Sequence, residues 1–183
     1  MGLEQRSEEI WNLHFPKYDP SIPIAFAAEG KRTLLFKNDP HIIKPSKESY
    51  SYHKAVRKLD FYREYYELLQ SNLSPYVTST TFGLISNYTG SRFKIATYQN
   101  FIPGVQWEGA LTHMHDSYEY EPMIDFLQKV LSLHESTGHI PDLYGPLTSP
   151  RMFHAPEYSK NVLVDFDPYY QYYIPTLIDV GPN

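Results

Sequence analysis

Three oxygen-bearing side chains toward the C-terminal end have the types and neighbours to do chemistry together. Asp142 stands in Pro141-Asp142-Leu143-Tyr144-Gly145, Asn161 opens the apolar run Asn161-Val162-Leu163-Val164, and Asp179 ends Thr176-Leu177-Ile178-Asp179, before Val180-Gly181. A carboxylate in the first position would orient an attacking hydroxyl. An amide oxygen and a second carboxylate would hold magnesium against nucleotide phosphates, because magnesium takes hard oxygen ligands. The plainer reading of Asp142 is a turn residue ahead of Gly145. For Asn161 and Asp179 the flanks favour the chemical reading, since a hairpin between their apolar runs would bring both to one sheet end. Asp165 and Asp167 read as solvent-facing turn carboxylates.

Composition limits what could position these groups. With 183 residues and 42% hydrophobic content, the chain supports one substantial core or two small lobes, so we expect a single domain. A net charge of -5 gives no electrostatic case for nucleic acid, which demands clustered Lys and Arg. Cysteine is absent, which excludes disulfides, thiolate zinc sites and cysteine nucleophiles. No apolar stretch approaches the length of a membrane span, so a cytoplasmic protein with no membrane partner is expected. The 17 tyrosines read as core and rim filling and not as a base-stacking platform, because Phe166 to Tyr173 carries no basic residue.

The elements follow from periodicity. Ile22-Ala27, Arg32-Lys37 and His41-Lys44 alternate like strands, with turns at Glu29-Gly30-Lys31 and Asn38-Asp39-Pro40. From Glu48 to Gln70 the period changes, with Val56, Leu59, Tyr62, Tyr66 and Leu69 at helical spacing, and Pro75 marks the end. A hairpin follows, Phe82-Ile85 and Phe93-Tyr98, running into the connector Gln99-Asn100-Phe101-Ile102-Pro103-Gly104. Residues 105 to 118 fit no template. A second helix is expected from Glu119, with Met123, Ile124, Leu127, Val130, Leu131 and His134 on one face, Pro122 in its first turn and Gly138 closing it. A loop with Pro150 and Pro156 runs from 147 to 160, and two last strands flank a tyrosine-rich turn.

Taken in order, Lys44, Arg63-Glu64, Gln99 to Gly104, Asn161 to Val164 and Leu177 to Gly181 resemble the landmarks of the protein-kinase-like superfamily. The likeness is to its small bacterial and aminoglycoside-phosphotransferase-like branches, over roughly residues 22 to 181. It implies an α+β, kinase-like two-lobe fold: a small antiparallel five-stranded sheet plus one helix, about 20 to 99, joined by a hinge to a reduced helical C-lobe, about 100 to 183. It further implies an ATP- and magnesium-dependent phosphotransferase acting on a hydroxyl of a small molecule or a protein. Lys44 would contact the nucleotide phosphates, positioned by Glu64, with Glu67 as the fallback partner; Gln99 and Phe101 would lie at the nucleotide's hinge side. Asp142 would be the catalytic aspartate, and Asn161 and Asp179 the metal ligands.

Several departures from that pattern keep a second reading open, a pseudokinase or nucleotide-binding module without transfer. No Gly-x-Gly-x-x-Gly loop is present, and His139 lies one residue too far upstream of Asp142. The interval from Asp142 to Asn161 is 19 residues, against about five in the kinase motif. The sequence ends at Asn183, so no peptide-substrate platform is expected after Asp179, and a partner or a second copy would cover the apolar surface left behind. A third reading takes His113 and His115, with Asp116 and one of His134, His139 or His154, as a metal centre of a hydrolase.

Overall fold

Alternating runs in the N-terminal half pair into an antiparallel sheet, and two runs of helical period fold as helices, which makes the chain α+β. A computed structural model describes residues 25–29, 34–38, 41–46, 48–87, 89–102, 104–107, 110, 112–143 and 161–180. The chain packs as two units, Met1–Glu64 with Ser79–Phe101, and Tyr65–Thr78 with Ile102–Asn183. The expected boundary near residue 100 is therefore joined by two more, one within the first helix and one at Thr78/Ser79.

The first unit holds β1 (Ala25–Glu29), β2 (Leu34–Asn38), β3 (His41–Pro45), most of the helix α1 (Tyr52–Leu73), β4 (Thr80–Ser86) and β5 (Phe93–Asn100). Its five strands are antiparallel neighbours in the order β1-β2-β3-β5-β4. The expected turn at Glu29-Gly30-Lys31 and residues 22–24 lie largely outside the described residues. Ile43, Ile85, Ile95, Ala96 and Tyr98 of the sheet are buried, as are Ala55 and Leu59 of α1.

Helix α1 starts later than its periodicity suggests, because the backbone just before it is held by β5. The Ser46 N–H donates to Ile95 O at 2.7 Å, and Tyr50 and Phe93 exchange N–H···O bonds of 2.7 and 2.8 Å. Residues so engaged cannot also begin a helix. Tyr50 is buried there, its hydroxyl donating to the Glu48 carboxylate, while the Lys54 and Lys58 ammonium groups sit 5.4 and 5.1 Å from its ring centroid. Both contacts are cation–π pairs. At its other end the helix runs to Leu73 and stops where Pro75 forces Ser74 out of helical geometry.

The second unit is less purely helical than expected. It contains a three-stranded antiparallel sheet, β6 (Val105–Gln106), β7 (Val162–Asp167) and β8 (Tyr172–Leu177), and the helix α2 (Glu121–Thr137), preceded by a 3-10 turn, Ser117–Tyr120. Strand β6 is only two residues long, too short to show a period, and it is admitted by Gly104. A Cβ at Gly104 would lie 2.7 Å from Val164 O, inside any tolerated contact, so only glycine lets the chain approach β7.

Helix α2 buries Met123, Phe126, Val130 and Leu133, whereas Ile124, Leu127 and Leu131 are exposed. The expected face of Met123, Ile124, Leu127, Val130, Leu131 and His134 is therefore split, with only Met123 and Val130 turned inward. The inner stripe prevails because it carries Phe126, fully buried with its ring 5.6 Å from that of Tyr76 and 6.0 Å from that of Trp107. Ala110, Met114, Met123 and Val164 form the adjoining core. Gly138 ends the helix as expected, at φ 74°, its N–H donating to His134 O at 2.8 Å. Among the described residues, no helix is long and apolar enough to cross a membrane.

Candidate functional site

The second unit assembles three of the sequence-selected residues. Beyond Gly138, the His139 N–H donates to Thr137 Oγ1 at 3.1 Å, and Pro141 is buried, which anchors the segment bearing half-buried Asp142. Asn161 stands immediately before β7 and is only 8% exposed. Its Nδ2 donates to the backbone carbonyl of Asp142 at 2.8 Å, and its own carbonyl accepts the Ile178 N–H at 2.8 Å. Asp179 follows Ile178 directly and is exposed, between that bond and the buried Val180. The β7–β8 pairing that brings Val162 opposite Leu177 is thus the element that brings Asn161 to Asp179.

A fourth residue, Tyr65, belongs to this cluster. Its ring packs edge-on against His139, with centroids 6.2 Å apart. Burial, and then the negative charges of Asp142 and Asp179, raise its phenol above the usual tyrosine range. Both carboxylates therefore bear on one hydroxyl. The helix turn that carries Tyr65 is fixed from the next residue on: Tyr66 Oη donates to Thr78 O at 3.2 Å, and Gln70 Nε2 donates to Tyr66 Oη at 2.7 Å and to Val77 O at 3.3 Å. The segment so held continues the sheet, since Thr78 N–H donates to Leu177 O at 3.1 Å and Leu177 N–H to Tyr76 O at 2.7 Å. Sequence reasoning passed over Tyr65; the signal was its position three residues after Tyr62 and four before Leu69, on the same helical stripe.

Two side-chain oxygens here are of a type that could hold a hard cation. The hydrogen bond to Asp142 uses the amide nitrogen of Asn161, which leaves Oδ1 as the acceptor end, and Asp179 offers a carboxylate nearby in the same hairpin. Both are hard oxygen donors, the type that magnesium takes.

The first unit carries the other four candidates. Lys44 pairs with Thr97 in the sheet register and Thr97 with Phe82, so the three share a face. The Phe82 ring meets Tyr62 of α1 at 6.3 Å, and Arg63 Nη2 donates to Phe82 O at 3.5 Å, so that face is the one α1 packs on. Glu64 lies on α1 two residues beyond Tyr62 and is exposed. Gln99 is buried, its Nε2 donating to Thr80 Oγ1 at 2.8 Å, while Phe101 just past β5 is 41% exposed.

Among the described residues the histidine pair gathers no metal site, and His154, one of the third ligands expected for it, lies outside them. His113 and His115 are exposed, and among the described residues no group of three or more His, Cys, Asp or Glu could hold a metal ion. The nearby Glu119 caps the 3-10 turn instead. Its Oε2 accepts the N–H groups of His115 at 2.6 Å and Asp116 at 3.0 Å, and those bonds, Asp116 foremost, lower its carboxyl from the usual value. Comparison with known proteins adds no name to this geometry: no family model and no curated protein matches the chain.

Proposed function

We propose that this protein is a kinase-like phosphotransferase that moves the terminal phosphoryl group of ATP to a hydroxyl. The observation that carries the reading is the bond from Asn161 Nδ2 to Asp142 O, together with that from Ile178 N to Asn161 O. Those two bonds join an aspartate fit to orient a nucleophile to two oxygen donors fit for magnesium.

In this reading, Asp142 accepts a hydrogen bond from the substrate hydroxyl and aims its oxygen at the γ-phosphorus. The bond from the hydroxyl oxygen to phosphorus forms as the bond to the β,γ-bridging oxygen breaks. ADP leaves with that electron pair, and the hydroxyl proton passes toward Asp142. Asn161 Oδ1 and the Asp179 carboxylate would hold magnesium, which would supply positive charge against the phosphates. The kinase-like resemblance assigns phosphate contacts to Lys44 with Glu64, and base contacts to Gln99 and Phe101, all four in the first unit. Transfer by this route consists mostly of positioning and charge stabilisation, which polar side chains on a rigid hairpin can supply.

The test is a thermal-shift titration with magnesium and ATP on the intact chain. A rise in melting temperature that Asp179→Ala abolishes supports the reading, and no rise at millimolar nucleotide overturns it. The exposure of Glu64 favours a second reading, a nucleotide-binding module without transfer, because an exposed glutamate holds a lysine weakly. Binding of the nucleotide with no phosphoryl transfer across a panel of hydroxyl substrates would select it.

A further inference from the structure

The β7–β8 turn presents an unusual surface. Tyr169 is 83% exposed, Tyr170 60% and Phe166 44%, far more aromatic surface than a buried core or rim role explains. The rings are organised among themselves. Tyr169 meets Tyr170 edge-on at 4.7 Å, Tyr170 stacks on Tyr172 at 5.4 Å and 12°, and Phe166 tilts against Tyr173 at 5.1 Å.

Their backbone is also fixed. Asp167 Oδ1 accepts the N–H groups of Tyr169 at 2.8 Å and Tyr170 at 3.1 Å, and Gln171 N–H donates to Asp167 O at 2.8 Å. Gln171 adopts φ 57°, a left-handed conformation held by that turn. Little ordering is left for a partner to impose, and tyrosine loses few rotamers on binding, so contact here is inexpensive.

Charge sets the kind of partner. Asp165 is exposed beside these rings, Asp167 caps the turn, and no lysine or arginine occurs from Asn161 to Val180. Aromatic faces and carboxylates on a hairpin with no lysine or arginine of its own attract cationic side chains and repel phosphate backbones. Guanidinium fits better than ammonium, because it is planar, stacks on rings and is weakly hydrated.

We propose that the tip of the β7–β8 hairpin docks an arginine-bearing peptide segment of another protein. The surface stands apart from the phosphotransfer reading and does not depend on it.

The experiment measures fluorescence anisotropy of fluorescein-labelled nona-arginine and nona-lysine with the full chain, in the wild type and in variants with unchanged circular dichroism and melting temperature. Wild type is expected to favour nona-arginine. The Tyr169→Ala/Tyr170→Ala double variant should weaken its binding roughly tenfold, a loss in keeping with two ring–cation contacts. Tyr169→Phe/Tyr170→Phe should retain it, and Asp165→Asn should weaken it by about two- to fivefold. Glu135→Gln, an exposed acid on α2, should change nothing. Equal binding of the two peptides, an unaffected alanine variant, or a Glu135→Gln loss matching that of Asp165→Asn would reduce the effect to net charge and overturn the proposal. Self-association in sedimentation that the alanine variant removes would assign the tip to a second copy of the chain and overturn it equally.

Discussion

Asn161 reaches across 19 residues of chain to donate its side-chain hydrogen to the backbone carbonyl of Asp142, at 2.8 Å. The nitrogen end of the amide is thereby committed to the backbone, and the proposed function uses only its oxygen end. Asn161→Ala removes a nearly buried donor and strands the Asp142 carbonyl, a loss of about 1–3 kcal/mol. Asn161→Asp keeps an oxygen but loses the donor, so it should be destabilised to a similar degree. Urea denaturation of both variants checks this, and an Asn161→Asp of wild-type stability would contradict it.

Asp179 should behave in the opposite way. Its side chain is exposed, so Asp179→Ala is expected to change stability by no more than about 0.5 kcal/mol while removing magnesium-dependent nucleotide binding. Denaturation and calorimetry on the same sample separate the two effects. Loss of both together would mark Asp179 as a structural residue.

Alkaline pH gives a third test. Burial, and then the hydrogen bond to Glu48, push the Tyr50 phenol from 10.0 up to about 12 in the folded protein. A raised folded-state value means that its contribution is intact below pH 10 and is lost as pH climbs from 10 through about 12. Tyr50→Phe should therefore flatten the fall of unfolding free energy across that window. Some slope should persist, because burial of Tyr65 and Tyr76 raises their phenols in the same direction. Parallel curves for variant and wild type would refute the assignment.

Phe126 tests the packing of the second unit. It is fully buried between Tyr76 and Trp107, and Phe126→Ala should cost about 3–5 kcal/mol. Leu127→Ala, on the exposed stripe one position along, should cost less than about 1 kcal/mol. Reversal of that order in chemical denaturation would restore the other stripe as the core face.

Much of the architecture was legible because period and type agree locally. The existence of α1, the turn between β4 and β5, and the cap at Gly138 each follow from a few adjacent residues, whereas the start of α1 is set by distant β5. The nearness of Asn161 and Asp179 was legible from the apolar flanks that pair as β7 and β8, whereas the 19-residue interval hid the bond that ties Asn161 to the Asp142 carbonyl. What was hidden depends on partners distant in sequence. Strand β6 is too short to declare itself, the inward stripe of α2 is chosen by Tyr76 and Trp107, and Tyr65 gains its place only through His139. For Lys44, the register identifies the sheet face but not the ion pair envisaged with Glu64.

Strand β7 has Asn161 at its head and the tyrosine turn just past its other end, six residues on, a span of roughly 20 Å at strand rise. An occupant of the turn would leave the opposite end of the ribbon uncovered. Under the two proposals, a polypeptide held at the turn and a nucleotide held beside Asn161 would therefore not compete for the same stretch of ribbon.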